Sequence, residues 1–429
     1  MIVSAPPPSA TEKTVLVGLE HDGVTRWDLE DSLAELRELA STAGAKVVDT
    51  VTQKLDHPTA PYYIGKGKAE EIAGLCAEHG AGSIIFDDEL SPAQGRNLES
   101  VTSRKILDRT QLILDIFARR ARSREGRLQI ELAQLQYLLP RLTRMWTHLS
   151  RQTGGIGTRG PGETQLEVDR RRVQERISRL QRDLEEVRKH RAIQREGRAR
   201  HQWPVVAIVG YTNAGKSSLL NRLTKAGVLA EDKLFATLDP TTRQFVLPNK
   251  LKVLFTDTVG FIRKLPHTVI ESFKATLEEL RSADLLVHVV DVSHPQYAEQ
   301  IAATEEVIRE LEAGGKHTLL VFNKIDRADN PEAVEAALAR HPNSVAVSVK
   351  TGENLGAFVE ELQNQLSAWR MRQKFRIPQS ESAALAELHR VGHVVEVRYE
   401  GDDALVTAHI PPASEAKFAR FAEASSAPA

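Results

Sequence analysis

Hydrophobic positions change rhythm along this chain of 429 residues, and each change predicts a different kind of structure. Up to about residue 110, short apolar runs alternate with helical periodicity: TVLVGLE, SLAELRELASTAG, AKVVDTVTQ, KAEEIAGLCAEHG and GSIIFDDE. Strand runs separated by single helices predict a small α/β domain over 1–118. From 119 to 200 the rhythm is helical only. Leu128, Leu132, Leu135, Leu139 and Leu142 step by 4, 3, 4 and 3, and Val173, Ile177, Leu180, Leu184 and Val187 do much the same. Two such seams predict an antiparallel coiled-coil hairpin. Its joining segment, QTGGIGTRGPGE at 152–163, holds too much Gly and Pro to be helical. Buried strand runs return between 201 and 370, predicting a mixed, mainly parallel sheet with helices on both faces. The last stretch, 371–429, reads as helix SAALAELHR, strand VVEVRY, turn EGDDA and strand LVTAHI, a small α+β domain with a disordered ASSAPA tail. The expected class is therefore α/β and multidomain.

Candidate chemistry concentrates in the third of these regions. GYTNAGKS at 210–217 follows the apolar run Val205 to Val209 and precedes SSLLNRLTKA, so G-x-x-x-x-G-K-[ST] falls on a strand-to-helix turn, the context a phosphate-binding P-loop needs. Gly210 and Gly215 let backbone N–H groups face phosphates, Lys216 supplies a point charge between the β and γ groups, and the Ser217 hydroxyl is an Mg²⁺ ligand. Downstream, Asp257 ends the strand LKVLFTD and opens DTVG; its carboxylate suits Mg²⁺ through water, and the Gly260 amide suits the γ-phosphate. NKID at 323–326 follows HTLLVF, about 110 residues beyond the loop. The Asp326 carboxylate can accept from guanine's ring N–H and amino group, which adenine lacks. Asn323 contacts the guanine edge or braces the loop, and the Lys324 stem lies over the base. Ser348, Val349 and Lys350 follow the strand Ser344 to Val347 and offer backbone amides to the base oxygen. Taken alone, DTVG or NKID is an ordinary strand-end turn; the ordered triple implies GTP binding and hydrolysis.

FATLDPTTR, 235–243, is the candidate segment for closing over Mg²⁺ and γ-phosphate, with hydroxyls at Thr237, Thr241 and Thr242. After DTVG stands Phe261, whose ring can neither donate nor accept the hydrogen bond that would orient the attacking water. Slow intrinsic hydrolysis follows, with stimulation from another source. Asn213 suggests K⁺ near the phosphates in place of an arginine finger; the plainer reading is that Asn213 only tolerates the turn's backbone.

Composition narrows the setting. A 41% hydrophobic content can bury several cores. One cysteine, Cys76, rules out an internal disulfide framework and a thiolate metal cluster. The N-terminal MIVSAPPPSATEKT lacks the build of a signal peptide, and no run of about 18 apolar residues exists. A cytoplasmic location is expected, with room for a fraction peripheral to the membrane. The net charge of −1 conceals an imbalance: residues 119–200 carry 21 Lys or Arg against 10 Asp or Glu, and all but one of those cations is Arg. Arginine suits bidentate phosphate contact, so the hairpin reads as a nucleic-acid binder, against the alternative of a solvated helical surface. YYIGKGK at 62–68 lacks Walker spacing and reads as a surface turn; DDE at 87–89 suggests metal but is more commonly an acidic strand-end loop.

GYTNAGKSS, LFATLDPTTR, DTVGFIRKLP, NKID and GGIGTRGPGETQLEVDRR together resemble the HflX-type ribosome-associated GTPases over essentially the whole chain. Thr237 is the metal ligand that the resemblance favours. Motifs and resemblance together place the GTP site on Gly210, Tyr211, Thr212, Asn213, Ala214, Gly215, Lys216, Ser217 and Ser218. They add Phe235, Ala236, Thr237, Leu238 and Asp239, then Asp257, Thr258, Val259 and Gly260, then Asn323, Lys324, Ile325 and Asp326, and last Ser348, Val349 and Lys350. Lys216, Thr237 and Gly260 are the residues nearest the chemistry, and Ser217, Thr237 and Asp257 (through water) the Mg²⁺ set. The resemblance further implies a monomer that binds the large ribosomal subunit and rRNA through 119–200 and the N-terminal domain, and splits or rescues stalled ribosomes under stress. It also allows an ATP site or RNA unwinding in the N-terminal half, where no second Walker pattern occurs. Two other classes compete: a GTP-switched regulator of a protein partner, and a tRNA-modifying GTPase, which the isolated Cys76 disfavours.

Overall fold

The structure, a computed structural model, describes residues 12–142, 161–199, 203–224, 234–235, 237–264, 280–328, 331–369, 371–391, 393–410 and 415–423. The first unit runs β1 (Lys13–Glu20), α1 (Arg26–Thr42), β2 (Lys46–Lys54), α2 (Lys66–His79), β3 (Ser83–Phe86), α3 (Pro92–Thr102), β4 (Lys105–Asp108) and α4 (Arg109–Arg120). Its strands form a four-stranded sheet in the order β2-β1-β3-β4, every pairing parallel. Six of the eight residues of β1 are buried, as a central strand covered on both faces requires. Capping boxes, Thr25 with Asp28 and Ser91 with Gln94, start α1 and α3 by satisfying otherwise orphaned N–H groups. Cys76 is buried among Val15, Ile72 and Ile84, a small hydrophobe in this core.

α5 (Arg124–Leu142) and α6 (Pro161–Ala199) pack through Leu128, Leu132, Leu135 and Leu139 against Val173, Ile177, Leu180 and Leu184. These residues are the seams expected from the heptad steps. Arg176 clamps Glu131 across the pair with two bonds, of 2.8 and 2.9 Å. Two features differ from expectation. α6 begins at Pro161, inside the segment read as loop: proline has its φ pre-set and no N–H to lose, so it suits a first helical turn. In addition, α5 is not a free arm. Its Ile130, Ala133 and Tyr137 face Ile113 and Phe117 of α4 within one core. Residues 143–160, with most of the glycine-rich segment, lie outside the described residues.

The third unit comprises β5 (Val205–Gly210), α7 (Lys216–Thr224), β6 (Thr241–Val246), β7 (Lys252–Asp257), β8 (Leu285–Asp291), α8 (Tyr297–Glu310), β9 (Thr318–Asn323), α9 (Pro331–Arg340), β10 (Ser344–Ala346) and α10 (Leu355–Trp369). Its six strands are ordered β10-β9-β8-β5-β7-β6, and all pair in parallel except β6 with β7. The mixed, mainly parallel sheet anticipated from the sequence is therefore present. Its neighbour is a three-stranded antiparallel sheet, β11 (Met371–Pro378), β13 (Asp403–Ile410) and β12 (His393–Glu400), with α11 (Ser382–Val391) and α12 (Glu415–Phe418). β11 was not anticipated. Its period-two signal rests on Phe375 and Ile377 alone, both fully buried, while charged residues fill the alternate positions.

One apolar core crosses from the first unit into the third: Leu112, Ile116 and Phe117 of α4 share it with Val209, Phe235, Leu238, Val259 and Phe261. The segments expected to close over the nucleotide thus have the N-terminal unit at their backs. Among the described residues, no helix is long and apolar enough to cross a membrane.

Candidate functional site

β5 delivers the chain into the P-loop and α7 leaves it, so loop amides and the α7 N-terminus converge on one point. Gly215 has φ +103°, and a Cβ there would stand 2.3 Å from Asn323 Nδ2; only glycine fits. Lys216 is buried, its ammonium donating to the carbonyls of Gly210 (3.1 Å) and Tyr211 (2.6 Å). Burial lowers its pKa to about 8 against the opposing pull of Asp257. A triphosphate would supply the counter-charge that this ammonium lacks.

Ser217 Oγ lies 2.7 Å from Thr237 Oγ1 and donates to Asp257 Oδ2 at 2.6 Å. Asp257 Oδ1 is buried without a partner, and burial raises the pKa of the carboxyl. Two hydroxyls and a carboxylate with an orphaned oxygen form a hard-oxygen set that fits Mg²⁺. Thr241 and Thr242, the competing hydroxyls, are committed elsewhere: both belong to β6, and Thr242 Oγ1 pairs with Thr256 Oγ1 at 3.0 Å. Gly260 passes so close to the loop that a Cβ would meet Thr212 Cα at 2.8 Å and Lys216 Nζ at 2.9 Å. Phe261 stitches this approach together, its N–H donating to Gly210 O (3.1 Å) and its carbonyl accepting from Thr212 N–H (2.7 Å). The Phe261 ring is buried in the shared core.

A cavity of about 550 Å³ opens beside the loop, lined by Asn213, Gly215, Ser218, Asn323, Lys324, Asp326, Val349 and Lys350. Asn323 acts as a brace: Nδ2 donates to Ala214 O at 2.8 Å and Oδ1 accepts from Val349 N–H at 3.0 Å. Lys324 adopts φ +66° and its ammonium reaches Asp291 at 2.5 Å, which lays its stem along the cavity. Asp326 is exposed, and the hydrogen bond donated by Ser348 Oγ (2.6 Å) lowers its pKa, leaving an ionised acceptor at neutral pH. Ile325 packs beside the core around Phe322, and the Val349 side chain is absorbed into the core with Val347 and Phe358. Three lining residues escaped sequence reasoning: Asn221, Arg222 and Arg327. The first two stand three and four positions after Ser218, one face of α7, a signal that was available.

Other expected site residues turn their side chains elsewhere. Thr258 Oγ1 donates to Ile208 O at 2.6 Å, and Val259 is buried in the shared core. Phe235, at φ +56°, sets its ring edge-on to Phe117 with centroids 4.6 Å apart, and Leu238 enters the same core. Asp239 accepts from the N–H groups of Arg122 and Ser123, both at 2.8 Å, so it caps the start of α5 rather than facing nucleotide. Tyr211 points its hydroxyl at Glu35 of α1. Val259, Phe235, Leu238, Asp239 and Tyr211 all serve the contact between units, which no local pattern could disclose. Ala236 lies outside the described residues. The acidic DDE is engaged by a cation of the protein instead: among the described residues no group of three or more His, Cys, Asp or Glu could hold a metal, and Asp87 and Asp88 each bind Lys264 at 2.6 Å. Tyr63, from YYIGKGK, buttresses Asp88 with a 2.5 Å hydrogen bond.

Comparison with known proteins agrees with this geometry. Residues 30–118 match the family described as GTP-binding GTPase N-terminal, 120–198 the GTP-binding GTPase middle region, and 205–324 the 50S ribosome-binding GTPase family. GTPase HflX of Lacrimispora saccharolytica is 48% identical over 416 residues, covering 96% of this chain and 97% of that protein. GTPase HflX of Escherichia coli is 44% identical, covering 89% and 90%. A crystal structure of a GTP-binding protein from Sulfolobus solfataricus in complex with GDP aligns at 25% identity and TM-score 0.45, covering 83% of this chain and all of that one. Full-length relatedness at this level, with an assembled P-loop, places GTP as the substrate and its hydrolysis as the reaction: the chain belongs to the HflX family of GTPases.

Proposed function

We propose that this GTPase associates with the large ribosomal subunit and its rRNA through the arginine-rich hairpin and the N-terminal unit, and splits or rescues stalled ribosomes under stress. The observation that carries the reading is the solvent face of α6. Arg170, Arg171, Arg172, Arg176, Arg179 and Arg182 are all exposed there, and Arg170 and Arg179 form no ion pair among the described residues. Such a row suits a phosphate backbone. In the catalytic cycle Lys216 would meet the β- and γ-phosphates, Ser217, Thr237 and, through water, Asp257 would hold Mg²⁺, and the Gly260 amide would touch the γ-phosphate. Mg²⁺ supplies charge neutralisation at the phosphoryl group. Asn213 lies on the cavity rim at φ +61°, which fits a residue that tolerates the turn as well as one that would hold K⁺; on the K⁺ reading hydrolysis is expected several-fold faster in K⁺ than in Na⁺, and equal rates remove that ion from the scheme.

Sedimentation with ribosomes tests the main reading. Pelleting should require a GTP analogue rather than GDP and should vanish as salt rises. One observation favours a GTP-switched regulator of a protein partner instead: Arg171, Arg172 and Arg176 already pair with Glu175, Asp169 and Glu131. Absence of any pellet would select that reading.

A further inference from the structure

Arg263 and Lys264, the basic pair that follows DTVGFI, both end on the N-terminal unit, and the path between them closes on itself. The Arg263 N–H donates to Tyr211 Oη at 2.7 Å. Tyr211 in turn donates to Glu35 of α1, and Glu35 accepts from Arg109 at the start of α4. Arg109 donates to Asp87 at 2.8 Å, and Asp87 accepts from Lys264 Nζ at 2.6 Å. The ring has thus returned to the residue next to its origin. Three of its members belong to the N-terminal unit, and the two bonds that cross to the GTPase unit span 176 and 177 positions.

The ring is charged, and its Arg109–Asp87 side is dry. The Arg109 and Asp87 side chains are 2% and 0% exposed, and Ser32 adds a 2.7 Å hydrogen bond to Asp87. Outside it, Lys264 also binds Asp88, and Arg263 reaches Asp31 at 3.2 Å. Withdrawing Lys264 would leave Glu35 and Asp87 to share Arg109 alone, an excess of buried negative charge that the low-dielectric setting penalises. Burial by itself would lower the Lys264 pKa, yet Asp87 and Asp88 outweigh it and raise it. Docking of the two units and the position of residues 258–264 are therefore one equilibrium.

We propose that Glu35, Arg109 and Asp87 are positioning residues for GTP, acting through Tyr211, Arg263 and Lys264 to hold the segment bearing Gly260 where a γ-phosphate is received. The ring-closed arrangement coincides with an assembled site. In the same structure the Ser217 and Thr237 hydroxyls converge, and Phe261 stitches its segment to the P-loop. On this proposal the docked arrangement is the one that favours a triphosphate, and linkage makes the effect mutual: docking favours GTP over GDP, and GTP favours docking. This inference rests on the GTPase assignment and not on ribosome binding, so the pelleting assay and the test below fail independently.

The test uses the full chain with Lys264→Met, Lys264→Arg, Tyr211→Phe and Asp88→Asn, titrated with a fluorescent non-hydrolysable GTP analogue and with fluorescent GDP. Lys264 is 35% exposed, so its replacement leaves the core intact. Lys264→Met and Tyr211→Phe should each weaken the analogue about fivefold or more while GDP affinity stays within about twofold, the range of a typical coupling. Lys264→Arg should restore the discrimination, and Lys264→Met should matter less in the Asp88→Asn background. Unchanged affinities, or equal losses for both nucleotides, would overturn the proposal, because a ring that only supports the fold cannot tell the two apart.

Discussion

Replacing Phe261 with glutamine supplies the amide that would orient the attacking water in many GTPases, and the structure says it will fail. The Phe261 ring is 2% exposed and packs with Tyr211, Val259 and Leu280 in the core shared between the units. Only its backbone faces the P-loop, bound to Gly210 and Thr212. Glutamine at 261 would leave most of the ring's volume unfilled and place an amide in apolar surroundings. Emptying a buried phenylalanine site costs about 3 to 5 kcal/mol. An unpaired amide adds about 1 to 3 kcal/mol, and the methylenes it keeps return a similar amount. A net loss of about 3 to 5 kcal/mol corresponds to a melting point lower by roughly 6 to 20 °C for a unit of this size. Thermal unfolding followed by tryptophan fluorescence reads the loss, and single-turnover hydrolysis of radiolabelled GTP reads the chemistry, which should not accelerate. A variant that melts normally and hydrolyses GTP tenfold faster would refute the placement of this side chain.

Further outcomes follow from the same geometry. Asp326→Asn exchanges an exposed, ionised acceptor for an amide, so the fold should persist while GTP affinity falls about a hundredfold or more, as loss of charge-assisted bonds to guanine predicts; competition with xanthosine triphosphate checks it, and retained GTP preference would relocate the base reader. Lys216, at about 8 in the free protein, is charged below that pH and neutral above it. Phosphates attract the charged form, so nucleotide affinity should be flat below about pH 8 and weaken by up to about tenfold per unit above it; titration from pH 7 to 10 decides, and a flat profile throughout counts against the assignment. Leu180→Ala empties a fully buried seam position between α5 and α6 and should destabilise the hairpin by about 2 to 5 kcal/mol, seen as faster proteolysis within 161–199 while GTP binding survives.

The primary sequence was sufficient wherever chemistry is written in contiguous residues. A strand, a glycine turn and a helix start are local events, so the P-loop, the aspartate that ends β7 and NKID could be located, and a heptad step shows which leucines face another helix before the partner is known. What lay beyond it shares one cause. The directions of Phe235, Leu238, Asp239 and Phe261, the cap that Asp239 provides for α5, and the role of the acidic DDE all depend on the N-terminal sheet docking against the GTPase unit. Tyr211 and Glu35 stand 176 positions apart. A carboxylate in a strand-end loop looks alike in sequence whether it meets water, a metal or a distant lysine; burial and the charges brought within reach decide which, and only the packed chain has those.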